Sequence, residues 1–205
     1  MGDFYDKQGK WLFSDLKDDK KLYVEDEEHG IYMGPYPQPY YSEAGTVERV
    51  YASFVGKAKK FASKTGHKNA VKGEGVLSLF QQGSDGKDYC RVKMDAISGP
   101  WSNGALPNGE YGINGGVQMK AASAPSGYVR DGVSFFFKLR QYAKSTRTGL
   151  EIHPDGNTEG TLGCIGLLGG ASELKEFYKT LKSYTEKGEV HLDVNLEGNT
   201  NVGLC

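Results

Sequence analysis

The chain has 205 residues, a length that suits one domain with an appendage, and 38% of them are hydrophobic, enough for a core. Its 25 Lys and Arg residues are balanced by 26 Asp and Glu residues, which argues against a protein whose main partner is nucleic acid or an acidic membrane surface. The 29 glycines are about twice the usual ~7% share, which favours many tight turns and a β-rich chain.

The cysteines and the N-terminus bear on compartment. Three cysteines, Cys90, Cys164 and Cys205, are too few for a disulfide-dense scaffold and too scattered for a four-thiolate zinc site. No apolar run is long enough to span a membrane, and the first residues lack the basic and apolar regions of a secretory signal peptide. We therefore expect a chain made in the cytoplasm, which stays there or leaves by a route without a cleaved signal.

Residues 1–70 are predicted to form an appendage. Alternating apolar pairs within residues 1–28 predict short strands. The density of proline and tyrosine at 30–41 predicts an ordered loop, either packed by its tyrosines or exposed as a recognition surface. Apolar residues spaced three, four and seven apart within 43–65 predict an amphipathic helix.

Residues 71–205 are predicted to form a mainly β domain with mixed strands. Two alternating runs flank a Gly-Ser-Asp-Gly turn and predict a hairpin. A helix is predicted with Ser172 as its N-terminal cap and a stop at Gly188, and with Leu174, Phe177 and Leu181 on its apolar side. Strands are predicted at 76–80, 89–97, 133–139, 150–153 and 189–195.

A histidine and a cysteine stand eleven residues apart, His153 and Cys164, with a turn-forming segment between them. A cysteine attacks as the thiolate, and a free thiol with a pKa of ~8.5 needs a nearby base such as imidazole at neutral pH. The preceding Gly163 allows a sharp backbone turn that brings N–H groups together, as an oxyanion hole requires. The pair therefore suggests nucleophilic catalysis.

Other interpretations of this pair stay open at the level of residue types. A free cysteine is often a small buried hydrophobic residue. His153, Asp155 and Cys164 could bind zinc, although the sequence offers no fourth ligand at a suitable spacing. A calcium loop beginning at Asp155 is excluded because its twelfth position is Gly166 and not glutamate.

The segment from Thr161 to Cys164 resembles the Ser/Thr-His-Gly-Cys signature of L,D-transpeptidase catalytic domains, and His153 matches the base that precedes it. The resemblance covers about residues 74–170 and includes the upstream segments Ser98-Gly99 and Leu106-Pro107-Asn108-Gly109-Glu110-Tyr111. Leu162 replaces the second histidine of the signature, Gly166 replaces a common arginine, and the loop between base and cysteine is short. These departures resemble the effector branch delivered by type VI secretion systems.

The resemblance implies a fold, an activity and a set of roles. The fold would be a mixed-strand β-sandwich or barrel with a capping helix. Cys164 would attack the L,D bond of a peptidoglycan tetrapeptide stem, and His153 would move the proton. The N–H groups of Cys164 and Gly163 would bind the oxyanion. A backbone carbonyl of Pro154 or Asp155 would orient the imidazole, with the Asp155 carboxylate as an alternative.

Four further residues are candidates around the substrate. Arg147 could bind a substrate carboxylate, because strand alternation would place it on the same face as His153. Thr161 is expected beside the site, where its hydroxyl would support the cysteine turn, which is formed by residues 161–164. Trp101 and Tyr111 could line the cleft, or could equally belong to the core. We expect no metal or other cofactor.

The resemblance also implies partners: peptidoglycan stem peptides, a possible immunity protein and a possible secretion-system component, with delivery into the periplasm of a target bacterium. Hydrolysis, exchange and cross-linking remain equally open as outcomes. Two other functions fit the same sequence. One is a phage or autolytic wall hydrolase. The other is a catalytically inactive wall-binding module that uses residues 30–41 as its binding surface.

Overall fold

The computed structural model describes the backbone of six short N-terminal strands and, in full, residues 49–60, 71–142, 147–156 and 158–199. The short strands are β1 (Asp3–Tyr5), β2 (Trp11–Ser14), β3 (Tyr23–Asp26), β4 (Gly30–Met33), β5 (Tyr40–Tyr41) and β6 (Val47–Glu48). They pair antiparallel in sequence order, β1 with β2, β3 with β4 and β5 with β6. The short strands predicted within residues 1–28 are confirmed. The loop predicted over residues 30–41 is wrong at its two ends, which form β4 and β5, and its proline-rich residues 34–39 lie outside the described residues.

The remaining strands form one sheet of nine strands. They are β7 (Val50–Lys60), β8 (Val71–Gln82), β9 (Asp88–Ser98), β10 (Gly109–Gln118), β11 (Val129–Arg130), β12 (Val133–Gln141), β13 (Glu151–Pro154), β14 (Ile165–Leu167) and β15 (Val190–Glu197). The order across the sheet is β10-β15-β7-β8-β9-β14-β13-β12-β11, and β10 also pairs with β12. That extra pairing closes eight of the strands into a mixed β-barrel.

Two of the strand pairs in the barrel are parallel, β13 with β14 and β15 with β7. The antiparallel pair β8 with β9 is the hairpin that the alternating pattern predicts. A mainly β fold with mixed strands is therefore confirmed, and it takes the form of a closed barrel.

The helix predicted over residues 43–65 is wrong for the described part of that segment. Residues Val50–Lys60 form β7, in which Val50, Ala52 and Phe54 are buried at period two. The same apolar residues fit a helical spacing, but β7 pairs with β8 on one side and β15 on the other, so both backbone edges are hydrogen-bonded in the sheet. The barrel therefore includes residues that we assigned to the appendage.

One α-helix, α1 (Ala171–Thr185), packs on the barrel. It begins at Ala171, and its N-cap is Gly170, whose N–H donates to the Glu173 carboxylate at 2.8 Å. The cap therefore lies two residues before Ser172, the predicted cap. Its apolar side joins the same core as the strands, through Leu174, Phe177, Leu181 and Tyr184. The helix contacts β9 and also the paired strands β10 and β12. Because β9 is separated from that pair by other strands on both sides, the helix caps the barrel. Within the described part of the chain, no helix has the length and apolar character needed to cross a membrane.

Candidate active site

The parallel ladder between β13 and β14 places His153 and Cys164 on neighbouring segments of the sheet. Ile152 pairs with Ile165, so Cys164, one residue before β14, lies level with Glu151 and diagonal to His153. With strands about 4.8 Å apart and a rise of about 3.3 Å per residue, such diagonal Cα atoms are roughly 8 Å apart. Ile152 and Ile165 point into the barrel core, which leaves His153 on the outer face of the sheet.

The imidazole of His153 is held in one tautomer by the chain. Its Nδ1 atom lies 2.8 Å from the carbonyl oxygen of Pro154, the first of the two carbonyls that the resemblance implied. A carbonyl can only accept, so Nδ1 carries the proton and Nε2 presents a lone pair. Burial lowers the pKa of His153, and the ring is therefore neutral near pH 7, the state that a general base needs.

Two residues that the sequence analysis missed complete the surroundings of the imidazole. The ring of Tyr128 stacks on His153 with a centroid distance of 4.0 Å and an interplanar angle of 23°. The Tyr128 hydroxyl donates to the Glu151 carboxylate at 2.6 Å. Strand alternation could have placed Glu151 on the face of His153. Tyr128 comes from a separate 3-10 turn, Ser126–Tyr128, and no sequence pattern links it to the site.

The Cys164 side chain is buried and protonated. Its thiol donates a hydrogen bond to the Gly149 carbonyl oxygen, with a distance of 3.7 Å between Sγ and the oxygen. Burial raises the pKa of the Cys164 thiol to about 11, the nearby Glu151 carboxylate acts in the same direction, and the Glu151 backbone N–H opposes them. A thiolate–imidazolium pair is therefore not formed in advance, and the thiol must lose its proton as it attacks.

The raised pKa predicts an unusual alkylation profile for Cys164. We expect its rate of reaction with iodoacetamide to rise about tenfold per pH unit from neutral pH and to level off only near pH 11, because the thiolate is the reactive form. Mass spectrometry of peptides would follow Cys164 separately from the exposed Cys90. Circular dichroism would define the pH range in which the fold persists. A plateau below pH 8 would contradict the prediction.

Thr161 holds the cysteine turn from inside. Its side chain is buried, and its hydroxyl donates to the Cys164 carbonyl at 2.7 Å. The same oxygen accepts from the Gly99 N–H at 3.1 Å and from the Gly163 N–H at 3.2 Å. Thr161 therefore supports the turn as expected, but it is a positioning residue and not a substrate contact.

The assignment of Gly163 to the oxyanion hole needs correction. Gly163 has φ of 123°, a left-handed conformation that favours glycine, which explains the residue type. Its N–H, however, points to the Thr161 hydroxyl. An oxyanion hole that uses this amide would have to take the hydrogen away from Thr161.

Asp155 closes the loop between the two candidate catalytic residues. Its carboxylate accepts from the Gly160 N–H, at 3.1 Å to Oδ2 and 3.3 Å to Oδ1, and burial raises its pKa. Its backbone carbonyl accepts from Arg130 at 3.2 Å. The proposed catalytic role of its carboxylate is therefore not supported, since the Pro154 carbonyl binds His153 Nδ1.

Gly166 lies against the hydrogen bond between Asp155 and Gly160, which acts as a clamp at the base of the loop. A Cβ atom at this position would stand 2.9 Å from both Asp155 Oδ1 and Thr161 Cγ2. That distance is too short for a real side-chain contact, so a larger residue would displace the clamp. Glycine at position 166 therefore has a steric reason.

Arg147 lies beside the cysteine turn but precedes β13, in an irregular segment where strand alternation does not apply. Its Nη1 donates to the Ala105 carbonyl at 2.9 Å and its Nη2 to the Asn103 carbonyl at 2.5 Å. Burial lowers its pKa. A Cβ built at Gly163 would stand 3.5 Å from Nη1, so the guanidinium that binds the 103–105 segment also lies close to the cysteine turn.

The two aromatic candidates occupy different places. Trp101 is half-buried at the edge of the site, where its Nε1 donates to the Glu159 carbonyl at 3.1 Å. Tyr111 is fully buried in the barrel core and donates to the Pro107 carbonyl at 2.9 Å, so the suggestion that it lines the cleft is wrong. Leu162 is 67% exposed, next to the nearly buried Cys164.

A zinc site at His153, Asp155 and Cys164 is not supported, because His153 Nδ1 and the Asp155 carboxylate are directed to separate backbone partners. Within the described ranges, the cluster of potential metal ligands whose donor atoms lie within 4.8 Å of one another is Glu110, His191 and Asp193, on β10 and β15.

Comparisons of the chain with protein-family models, with curated proteins and with solved structures find no match. The site consists of a protonated thiol, a neutral imidazole in a fixed tautomer, and a turn held by buried hydrogen bonds.

Proposed function

We propose that the chain is a cysteine-dependent enzyme of the L,D-transpeptidase type that acts on peptidoglycan stem peptides. One observation carries the proposal. The Pro154 carbonyl holds His153 Nδ1, and the parallel ladder of β13 and β14 places the free Nε2 on the side of the sheet where Cys164 begins its strand. The match of Thr161, Gly163 and Cys164 to the family signature supplies the substrate class.

In the proposed reaction, the Cys164 sulfur attacks the carbonyl carbon of the L,D bond while the thiol proton passes to His153 Nε2. The tetrahedral intermediate collapses as the imidazolium returns that proton to the leaving amine of D-alanine, and a thioester remains on Cys164. Water then attacks the thioester and releases the shortened stem, with His153 again moving the proton. A D-amino acid in place of water gives exchange.

The protonated thiol favours this concerted order of events. Because burial raises the pKa of Cys164 to about 11 and lowers that of His153, the neutral thiol and neutral imidazole are the resting pair. Charge develops only as substrate binds and the sulfur attacks. A resting site of this kind is protected from adventitious electrophiles while it waits for substrate.

The proposal is tested by digesting purified muropeptides with the wild type, with Cys164→Ala and with Cys90→Ser, read by mass spectrometry. We expect loss of terminal D-alanine from tetrapeptide stems with the wild type and with Cys90→Ser, whose cysteine is exposed on β9. Cys164→Ala should show no turnover, a loss on the order of 10⁴-fold or more. Unchanged muropeptides with a folded wild type would refute the proposed activity.

An inactive wall-binding module is a second candidate, because the Gly163 N–H and the Cys164 thiol are both hydrogen-bonded within the chain. Binding to cell walls that survives Cys164→Ala, without turnover by the wild type, would support it. Delivery separates the remaining possibilities. An antibacterial effector requires a neutralising partner, which Cys164→Ala protein should capture from the producing cell, whereas a phage or autolytic hydrolase requires none.

A further inference from the structure

Among the described residues, the imidazole of His153 has one hydrogen bond and one stacked ring around it. The bond from Nδ1 to Pro154 defines the tautomer, but a single bond leaves the ring free to rock about that contact. The ring of Tyr128 lies against its face at 4.0 Å and 23°, and so restricts this motion. We propose that Tyr128, held by Glu151, is a positioning residue that fixes the orientation of the His153 imidazole, and so of Nε2, on the face of the sheet beside Cys164. The inference rests on the proposed function.

Tyr128 is itself fixed at both ends. Its hydroxyl donates to the Glu151 carboxylate at 2.6 Å, and Glu151 lies two residues before His153 on the same strand. Its backbone N–H donates to the Pro125 carbonyl at 2.8 Å. The same turn accepts a bond from the segment after β13, where the Gly156 N–H donates to the Gly127 carbonyl at 3.1 Å.

These contacts make the strand and the turn one unit. The backbone bond at Gly156 fixes the turn to the end of the strand, and the bond to Glu151 fixes the phenol to the start of it. The imidazole lies between the two anchors. The Tyr128 ring also covers His153 from solvent, which contributes to the burial that lowers its pKa.

The chain contains a matched arrangement away from the site. Tyr142 stacks on His191 with a centroid distance of 5.7 Å and an angle of 26°, and its hydroxyl donates to Glu189 at 2.9 Å. Tyr142→Leu therefore removes the same kind of stacked, carboxylate-bound tyrosine from a histidine with no proposed role. It controls for effects on the barrel alone.

The test compares Tyr128→Leu, Tyr128→Phe and Tyr142→Leu in kinetics and in NMR titration of the histidine rings. Tyr128→Leu should lower kcat by roughly 10- to 100-fold with KM within about twofold, because a misdirected base slows proton transfer but not binding. Tyr128→Phe keeps the stacked ring and should recover most of kcat. Tyr142→Leu should leave kcat unchanged.

The NMR signals of His153 give a readout that does not depend on activity. The ring current of Tyr128 should shift the imidazole protons upfield in the wild type and in Tyr128→Phe, and this shift should vanish in Tyr128→Leu. The titration midpoint of His153 should rise in Tyr128→Leu as water reaches the ring. Wild-type kcat and an unchanged midpoint in Tyr128→Leu would overturn the proposal. If the wild type does not cleave muropeptides at all, the proposed function fails, while the ring signals still decide whether Tyr128 orients His153.

Discussion

Asparagine in place of His153 is expected to lower kcat by roughly 10²- to 10⁴-fold and to leave the fold intact. The asparagine amide can donate to the Pro154 carbonyl as Nδ1 does, so the buried backbone acceptor keeps its partner. What disappears is the Nε2 lone pair, and with it the group that accepts the thiol proton. Steady-state kinetics on a tetrapeptide stem, with thermal unfolding as the measure of folding, would check this.

The matched control is His191→Asn. His191 is partly buried on β15, where its Nε2 lies 3.3 Å from Asp193, and it stacks on Tyr142. Its loss changes the surface of the barrel without touching β13 or β14. Equal activity in the two variants would mean that His153 is a structural residue of the sheet and that the proton goes elsewhere.

Replacement of Thr161 by valine is expected to destabilise the protein by about 2–4 kcal/mol. Valine fills the same volume, but it removes the acceptor of the Gly99 and Gly163 N–H groups and the donor to the Cys164 carbonyl. Each buried group left without a partner costs about 1–3 kcal/mol, and part of this is recovered if the turn relaxes toward water. Urea unfolding would measure the free energy of unfolding.

The same change should also reduce activity, because the turn that presents Cys164 loses its internal support. Thr161→Ser keeps the hydroxyl and should retain most of both stability and activity, since only a methyl group is lost. If Thr161→Val is as stable as the wild type, the three hydrogen bonds of the Thr161 hydroxyl contribute little to the free energy of unfolding. The turn is then held by its backbone conformation instead.

The parts of the fold that could be predicted are those whose pattern has one explanation. The β8–β9 hairpin combines strict alternation with a glycine turn, and α1 combines a long apolar side with a glycine at each end. β7 was mispredicted because Val50, Phe54 and Ala58 satisfy a helical spacing while Val50, Ala52 and Phe54 satisfy a strand spacing. The choice is made by pairing with β8, the next strand in the chain, and with β15, which lies far away in sequence.

The candidate site divides in the same way. The pairing of His153 with Cys164 could be inferred because both stand at the ends of short apolar runs joined by a turn. The roles of Gly163 and Asp155 could not, since a local bond to Thr161 or Gly160 decides where each polar group points. The role of Tyr128 could not be predicted from the sequence, because its stacking on His153 depends on a turn from another part of the chain.

The barrel wall, and not the connecting loop, sets the spacing between base and thiol. His153 lies on β13 and Ile165 lies on β14, and these two strands pair with each other. On its other edge β13 pairs with β12, and β14 pairs with β9. The Asp155–Gly160 clamp closes the connection at its base. We expect residues inserted between Asp155 and Gly160 to form a loop outside the barrel and to leave His153 and Cys164 in place. The short connection between His153 and Cys164 is therefore compatible with the proposed chemistry, and an insertion there is the natural position at which to change substrate range by design.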